Sequence, residues 1–246
     1  MSSAYLLTWL MIVLRTTGVV VQLPVFAGRP IPVMMRLGLA VGLATILAGV
    51  VPQAVLPETG WELFVLAGGE VLLGLALGFM TRMVFAAVEM AGRLIASEIG
   101  LTAAPGMGVP EPANEPLAAL LSSLAVLLFF ISGAHLFLLD ALARSFHLVH
   151  AGAPAIDGAA GEALIRATGH VIELGLRIAA PFVAMNFLVM LAFSALTRAC
   201  LLYTSDSARV FAGIALLSGA GALIARYLYV EFGDMPATML QILPVR

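Results

Sequence analysis

The residues that invite a chemical reading first are four histidines and a few charges set among apolar runs. His147 and His150 are three apart, so a helix would put them on one face, the spacing at which two imidazoles can share a zinc ion. No glutamate accompanies them as in the His-Glu-x-x-His arrangement, and no other strong ligand is near. His135 and Asp140 are five apart, a poor spacing for one face, and mark a helix end. Ser122 and Ser123 lack the Gly-x-Ser-x-Gly setting of a hydrolase nucleophile. No phosphate-binding loop occurs. A membrane-embedded enzyme working through His135, His147 and His150 remains one reading, but the pattern points to no enzyme, no metal and no cofactor. A second reading takes Glu70, Glu173 and Arg177 as ionisable groups inside apolar spans, where such groups commonly line a path for substrate or ions. That would make the chain a small multispanning transporter.

Whatever the chemistry, the elements that position these residues are membrane elements. Of 246 residues, 62% are hydrophobic and 11% charged, and mean hydropathy is +1.08; soluble domains carry roughly 25% charged residues. The apolar runs are spread along the whole chain, so one all-α integral membrane domain over 1–246 is expected, with membrane lipid as its surroundings. The net charge of −2 and the scatter of single arginines exclude a nucleic-acid partner. All twelve basic residues are arginine, which fits a GC-rich genome. With Cys200 as the single cysteine, no internal disulfide framework exists.

The helices of 1–100 come first. Tyr5 to Leu23 is long enough to cross a bilayer, which takes ~20 residues, and Arg15 interrupts it. That arginine either snorkels to an interface or makes a buried contact to a partner. Arg36 to Val51 forms a second run, with Gly38 and Gly42 spaced for close approach of another helix. Thr59 and Glu62 have the spacing of a capping box that opens the next helix. From Gly60 no proline occurs until Pro105, so one helix to about Gly100 would be roughly 60 Å long, twice the hydrocarbon thickness. Its first half carries Gly74, Gly78 and a lone Glu70. Its second half is amphipathic, with Arg82, Glu89, Arg93 and Glu98. Glu89 and Arg93 are an i, i+4 pair. These charges suit contact with protein better than with lipid, and together with Arg15 we assign Glu89, Arg93 and Glu98 to assembly contacts.

From Leu101 to Pro116 four prolines, at 105, 110, 112 and 116, and glycines 106 and 108 exclude helix and strand. The first ten residues of this loop carry no charge. An uncharged irregular segment in a membrane chain belongs against protein or along a cavity, because lipid would leave its backbone groups unsatisfied. Central helices follow over 117–199. Asn114 can cap and Pro116 can open the first, Leu117 to Leu139 is the most hydrophobic run, and a polar linker spans Ala151 to Gly161. Ala163 to Leu196 is expected to kink at Pro181. Val210 to Val230 is the last span, within a final segment over 200–246.

The runs Leu127 to Leu148 and Gly78 to Leu101, the latter with Phe85-Ala-Ala-Val-Glu-Met-Ala-Gly92 and Ile99-Gly100-Leu101, resemble the FliR family of flagellar export proteins and its injectisome counterpart, the T subunit. Leu14-Arg15, Pro24, Pro32 and Arg36-Leu-Gly-Leu-Ala40 are similar in kind and order. The resemblance covers about Leu14 to Pro154, and Pro181 to Leu196 less closely. It implies long bent helical hairpins that assemble with FliP-like and FliQ-like subunits, and an FlhB-like switch subunit, into a helical export gate. The gate would sit in the bacterial inner membrane at the flagellar basal body, lifted largely out of the membrane plane, and pass unfolded secreted proteins. It also implies a pore plug at the central loop, here Leu101, Pro105, Gly106, Met107, Gly108, Val109 and Pro110. Flexible Met107 and small Gly106 and Gly108 could yield to a passing chain, while an apolar constriction resists wetting. Ala134 stands where the family has glycine. Cys200 to Asp206 departs from the family's polar turn, and its Cys-Leu-Leu-Tyr-Thr-Ser run matches one reading frame of a transposon end used in library preparation; otherwise it is a loop in which Ser205 or Ser207 caps the final helix.

Overall fold

The computed structural model describes residues 3–23, 32–52, 59–100, 116–153, 158–196, 204–241 and 243, and among these every regular element is an α-helix. They are α1 (Ser3–Gln22), α2 (Val33–Leu47), α3 (Gly60–Ile99), α4 (Pro116–Ile131), α5 (Ala134–Leu148), α6 (Gly158–Leu196) and α7 (Thr204–Leu240). Within them four segments are long and apolar enough to cross a bilayer: Ala4–Gln22, Gly60–Ile99, Gly161–Ser194 and Arg209–Leu240. The all-α membrane class expected from composition is the class observed.

Helix ends follow local chemistry where the sequence marks them. Thr59 Oγ1 accepts the Glu62 backbone N–H at 3.2 Å, so the expected cap opens α3. That helix runs unbroken for 40 residues. Pro116 opens α4, where its missing N–H costs nothing. Several elements differ from expectation: α2 stops at Leu47 short of Val51, α6 begins at Gly158 inside the expected linker, and α7 begins at Thr204, so Ser205 and Ser207 lie within the helix they were expected to cap. The apolar run from Leu117 stops at Ile131 and restarts at Ala134, because Gly133 takes a left-handed φ of 74° that a helix cannot contain. The last helix extends well past Val230 to Leu240, through Pro236. Packing holds those final turns, with Phe232, Met235 and Met239 buried on one face and Thr81 Oγ1 donating to Met239 Sδ at 3.5 Å. Pro181 likewise lies inside α6.

The chain forms two compact units, each drawing on discontinuous stretches. The first contains residues 1–83, 133–169 and 232–246. In it α1 and α3 approach through glycines. A Cβ at Gly18 would stand 2.8 Å from the Gly74 carbonyl carbon, and one at Gly78 would stand 2.9 Å from the Val19 carbonyl oxygen. A Cβ at Gly74 would collide with the Arg15 carbonyl. The close-packing spacing of Gly74 and Gly78 is therefore used. Among the described residues nothing lies within 4 Å of a Cβ at Gly38 or Gly42, so the same spacing on α2 is not used there. Trp9 Nε1 donates to Thr45 Oγ1 at 3.1 Å and ties α1 to α2. Met11, Ile12, Leu73, Leu77, Leu142 and Phe146 are fully enclosed.

The second unit contains residues 84–132 and 170–231. Here α3 packs on α4 through Phe85 and Phe129, edge to face at 5.5 Å, and through Gly92, where a Cβ would stand 2.7 Å from the Ala118 Cα. Gly175 lets α6 approach Ala87 and Met90, and Gly213 lets α7 approach Ile99. Ala87, Val88, Ala91, Ile95, Ala125 and Phe182 fill the interior.

Candidate functional site

A guanidinium in the middle of an apolar helix needs partners for its five donors or it will not stay there. Arg15 finds them inside the first unit, with no exposure at all. Its Nε donates to Glu70 Oε2 at 2.6 Å and its Nη2 to Glu70 Oε1 at 3.1 Å, a two-pronged pair between α1 and α3. Its Nη1 donates to the carbonyls of Ser145 and Val149, at 3.1 and 3.0 Å, and to Ser145 Oγ at 3.2 Å. The Phe146 ring lies 4.2 Å from Cζ. Glu70, also fully buried, accepts a further bond from the Gly152 backbone N–H at 2.8 Å.

The two carbonyls belong to the last turn and cap of α5. A helix leaves its last four carbonyls without partners and its C-terminus negative, so a cation there is doubly favoured. Arg15 therefore closes α5, and Glu70 holds the turn that follows, where Gly152 takes a φ of 79°. The cluster fastens three segments far apart in sequence. It is sealed from solvent, so it holds structure and does not meet a substrate.

The other expected assembly residues lie elsewhere. Glu89 and Arg93 make the expected i, i+4 ion pair, 2.6 Å long and about half exposed on α3. Glu98 is half-buried and accepts a hydrogen bond of 2.5 Å from Asn186 Nδ2 on α6. The Asn186 Oδ1 is buried without a partner among the described residues. The structure thus places Arg15 inside the chain, and Glu98 against another helix of its own unit, instead of on a free surface. Leu101, Pro105, Gly106, Met107, Gly108, Val109 and Pro110 lie outside the described residues, as does Asn114.

The groups weighed for transport or catalysis do not converge. Glu70 is spent on Arg15, and Glu173 pairs with Arg177 at 2.6 Å on an exposed face of α6. His147 and His150 are exposed. Among the described residues no three His, Cys, Asp or Glu side chains come together to hold a metal ion. His170 makes a tertiary contact, its Nε2 lying 2.8 Å from Glu231 Oε2, and joins α6 to α7. Sequence reading missed that pair, Asn186, and the joining of Arg15 to Glu70. For the last a signal existed, since two lone opposite charges in separate apolar helices must be satisfied somewhere.

Fold and site together define an all-α integral membrane protein whose buried charges serve its own architecture. The family profile described as "Bacterial export proteins, family 1" matches residues 6–204. The chain belongs to this family and is an inner-membrane component of a type III export apparatus. It is 29% identical to the flagellar biosynthetic protein FliR of Escherichia coli strain K12 over 97% of this chain and 96% of that protein. It is 31% identical to FliR of Pectobacterium carotovorum, over 75% and 71% of the two chains. Likeness also extends to the Yop proteins translocation protein T of Yersinia pestis, 31% identical over 57% of this chain and 55% of that one.

Proposed function

We propose that this chain is a non-enzymatic subunit of the flagellar export gate. In it the chain joins FliP-like and FliQ-like subunits and meets an FlhB-like switch subunit, and unfolded secreted proteins pass through the assembly. The observation that carries the flagellar assignment is coverage, because likeness to a flagellar relative runs over 97% of the chain and likeness to the Yop translocation protein over 57%. The surface is in keeping with a subunit role. Val33, Met34, Met35 and Ile46 on α2 are at least 66% exposed, and the unused Gly38 and Gly42 lie on the same helix. The exposed Glu89–Arg93 pair sits on the amphipathic second half of α3, and protein solvates such a pair better than lipid does. Residues 101–116, between α3 and the start of α4, are the plug, on the strength of their Pro- and Gly-rich composition and the absence of charge from the first ten of them.

The test is a tagged pull-down from native membranes in mild detergent, followed by mass spectrometry. FliP-like and FliQ-like chains are expected in the eluate. Recovery of this chain by itself would overturn the gate assignment.

A further inference from the structure

One feature of the first unit has no part in the export reading: an open apolar groove with a cation at its end. The groove encloses about 420 Å³, within the range of small-ligand sites, and is lined by Leu72, Leu75, Ala76 and Phe79 of α3, Leu164, Ile165 and Thr168 of α6, and Gln22 at the end of α1. Its walls are almost wholly aliphatic or aromatic. Leu72, Leu75, Ala76 and Phe79 recur at three- and four-residue spacings, so they form one stripe along α3, and Arg82 is the next residue on that stripe. From Leu72 to Arg82 the helix rises about 15 Å. Gln22, which lines the groove, accepts a hydrogen bond from Arg82 Nη1 at 3.1 Å and so fixes the guanidinium at the groove's end.

Arg82 differs from five of the other described arginines. Arg15, Arg93, Arg144, Arg166 and Arg177 are each paired with a carboxylate. Arg82 is exposed and bonded to a neutral amide. Arg166, on the same helix as the lining residues Leu164, Ile165 and Thr168, is neutralised by Glu162. Arg82 also follows the apolar stretch Leu63 to Met80, whose one charge is the internally paired Glu70. Counted from Leu63, a length of about 20 residues, enough to cross a bilayer, ends at Arg82.

We propose that this groove is a binding site for an anionic phospholipid, with one acyl chain along Leu72, Leu75, Ala76 and Phe79 and the phosphate at Arg82. The aliphatic wall takes the tail by apolar burial, and the Arg82 guanidinium, bonded to a neutral amide, selects the negative headgroup over a zwitterionic one. Gln22 orients the guanidinium, and Thr168 adds a hydroxyl to the lining.

The experiment is native mass spectrometry of the full chain, purified in mild detergent with whatever subunits accompany it, and titrated with phosphatidylglycerol or phosphatidylcholine. Retention of phosphatidylglycerol is expected to exceed that of phosphatidylcholine about fivefold, the effect of one arginine at an anionic headgroup. Arg82→Gln should abolish that preference and Arg82→Lys should keep it. Ala76→Trp, which fills the groove, should lower retention of both lipids; circular dichroism and elution volume check that it folds, and the Arg82 pair carries the test if it does not. Equal retention of the two lipids by the unaltered chain, or an undiminished preference in Arg82→Gln, would overturn the proposal. So would an Ala76→Trp chain that folds and binds lipid normally but no longer co-purifies with its subunits, because the groove would then seat a partner helix.

Discussion

Replacing Arg15 by methionine separates a structural clasp from a surface contact. The substitution keeps length and removes every donor, which leaves the buried Glu70 carboxylate with the Gly152 N–H as its remaining described donor, and returns the Ser145 and Val149 carbonyls to the unpaired end of α5. Breaking a buried pair by removing one partner costs about 3–5 kcal/mol. For a chain of this length each kcal/mol moves the melting temperature by about 2–4 °C, so a fall of about 10 °C is expected in detergent. Glu70→Leu should cost as much, because it strands the guanidinium. The double variant Arg15→Met/Glu70→Leu should lie closer to the unaltered protein than either single one, since an apolar pair of similar volume replaces buried ions at little net cost. The assay is scanning fluorimetry of the four purified proteins, with elution volume as the check on folding. A double variant whose loss equals the sum of the singles would refute the pairing. A shift below about 3 °C for Arg15→Met would refute the burial itself.

Three further outcomes are expected. Gly74→Ala drives a methyl into the Arg15 carbonyl and should destabilise by about 1–3 kcal/mol, whereas Gly38→Ala meets open space and should stay within about 0.5 kcal/mol; melting temperatures compare them. Charge reversal at Glu89 and at Arg93, one at a time, should lower co-purification of partner subunits while leaving the melting temperature within 2–4 °C, because an exposed i, i+4 pair contributes only about 0.3–0.5 kcal/mol to the helix itself; normal yields from both variants would remove that pair from the interface. Replacing Gly106 to Val109 with a shorter link should leave the assembly intact and let ions leak, and unchanged ion permeability of cells carrying it would count against the plug.

What the sequence made legible was local. The Thr59 cap, the opening of α4 at Pro116, the Glu89–Arg93 pair and the close-packing glycines of α3 depend on residues within one or two turns of each other. The breaks and joins that depend on distant residues were hidden. Gly133 sits in an apolar run where nothing nearby announces a left-handed turn. Pro236 reads as an end, but buried Phe232, Met235 and Met239 carry α7 beyond it. Glu98 reads as a surface charge because its partner, Asn186, is 88 residues away. Arg15 and Glu70 were each noticed alone, and only the fold sets them face to face across 55 residues.

That separation bears on how the protein is made. The first helix leaves the ribosome carrying an arginine whose carboxylate follows 55 residues later and whose carbonyl acceptors at Val149 follow 134 residues later. At about 5–20 residues per second the charge waits several seconds for Glu70 and on the order of ten seconds for the end of α5. A lone arginine at a helix centre costs about 2.5–3.5 kcal/mol in the bilayer, so during that interval α1 is a reluctant membrane segment. The chain thus has a built-in order of biogenesis, in which its first helix settles only when its middle has been synthesised.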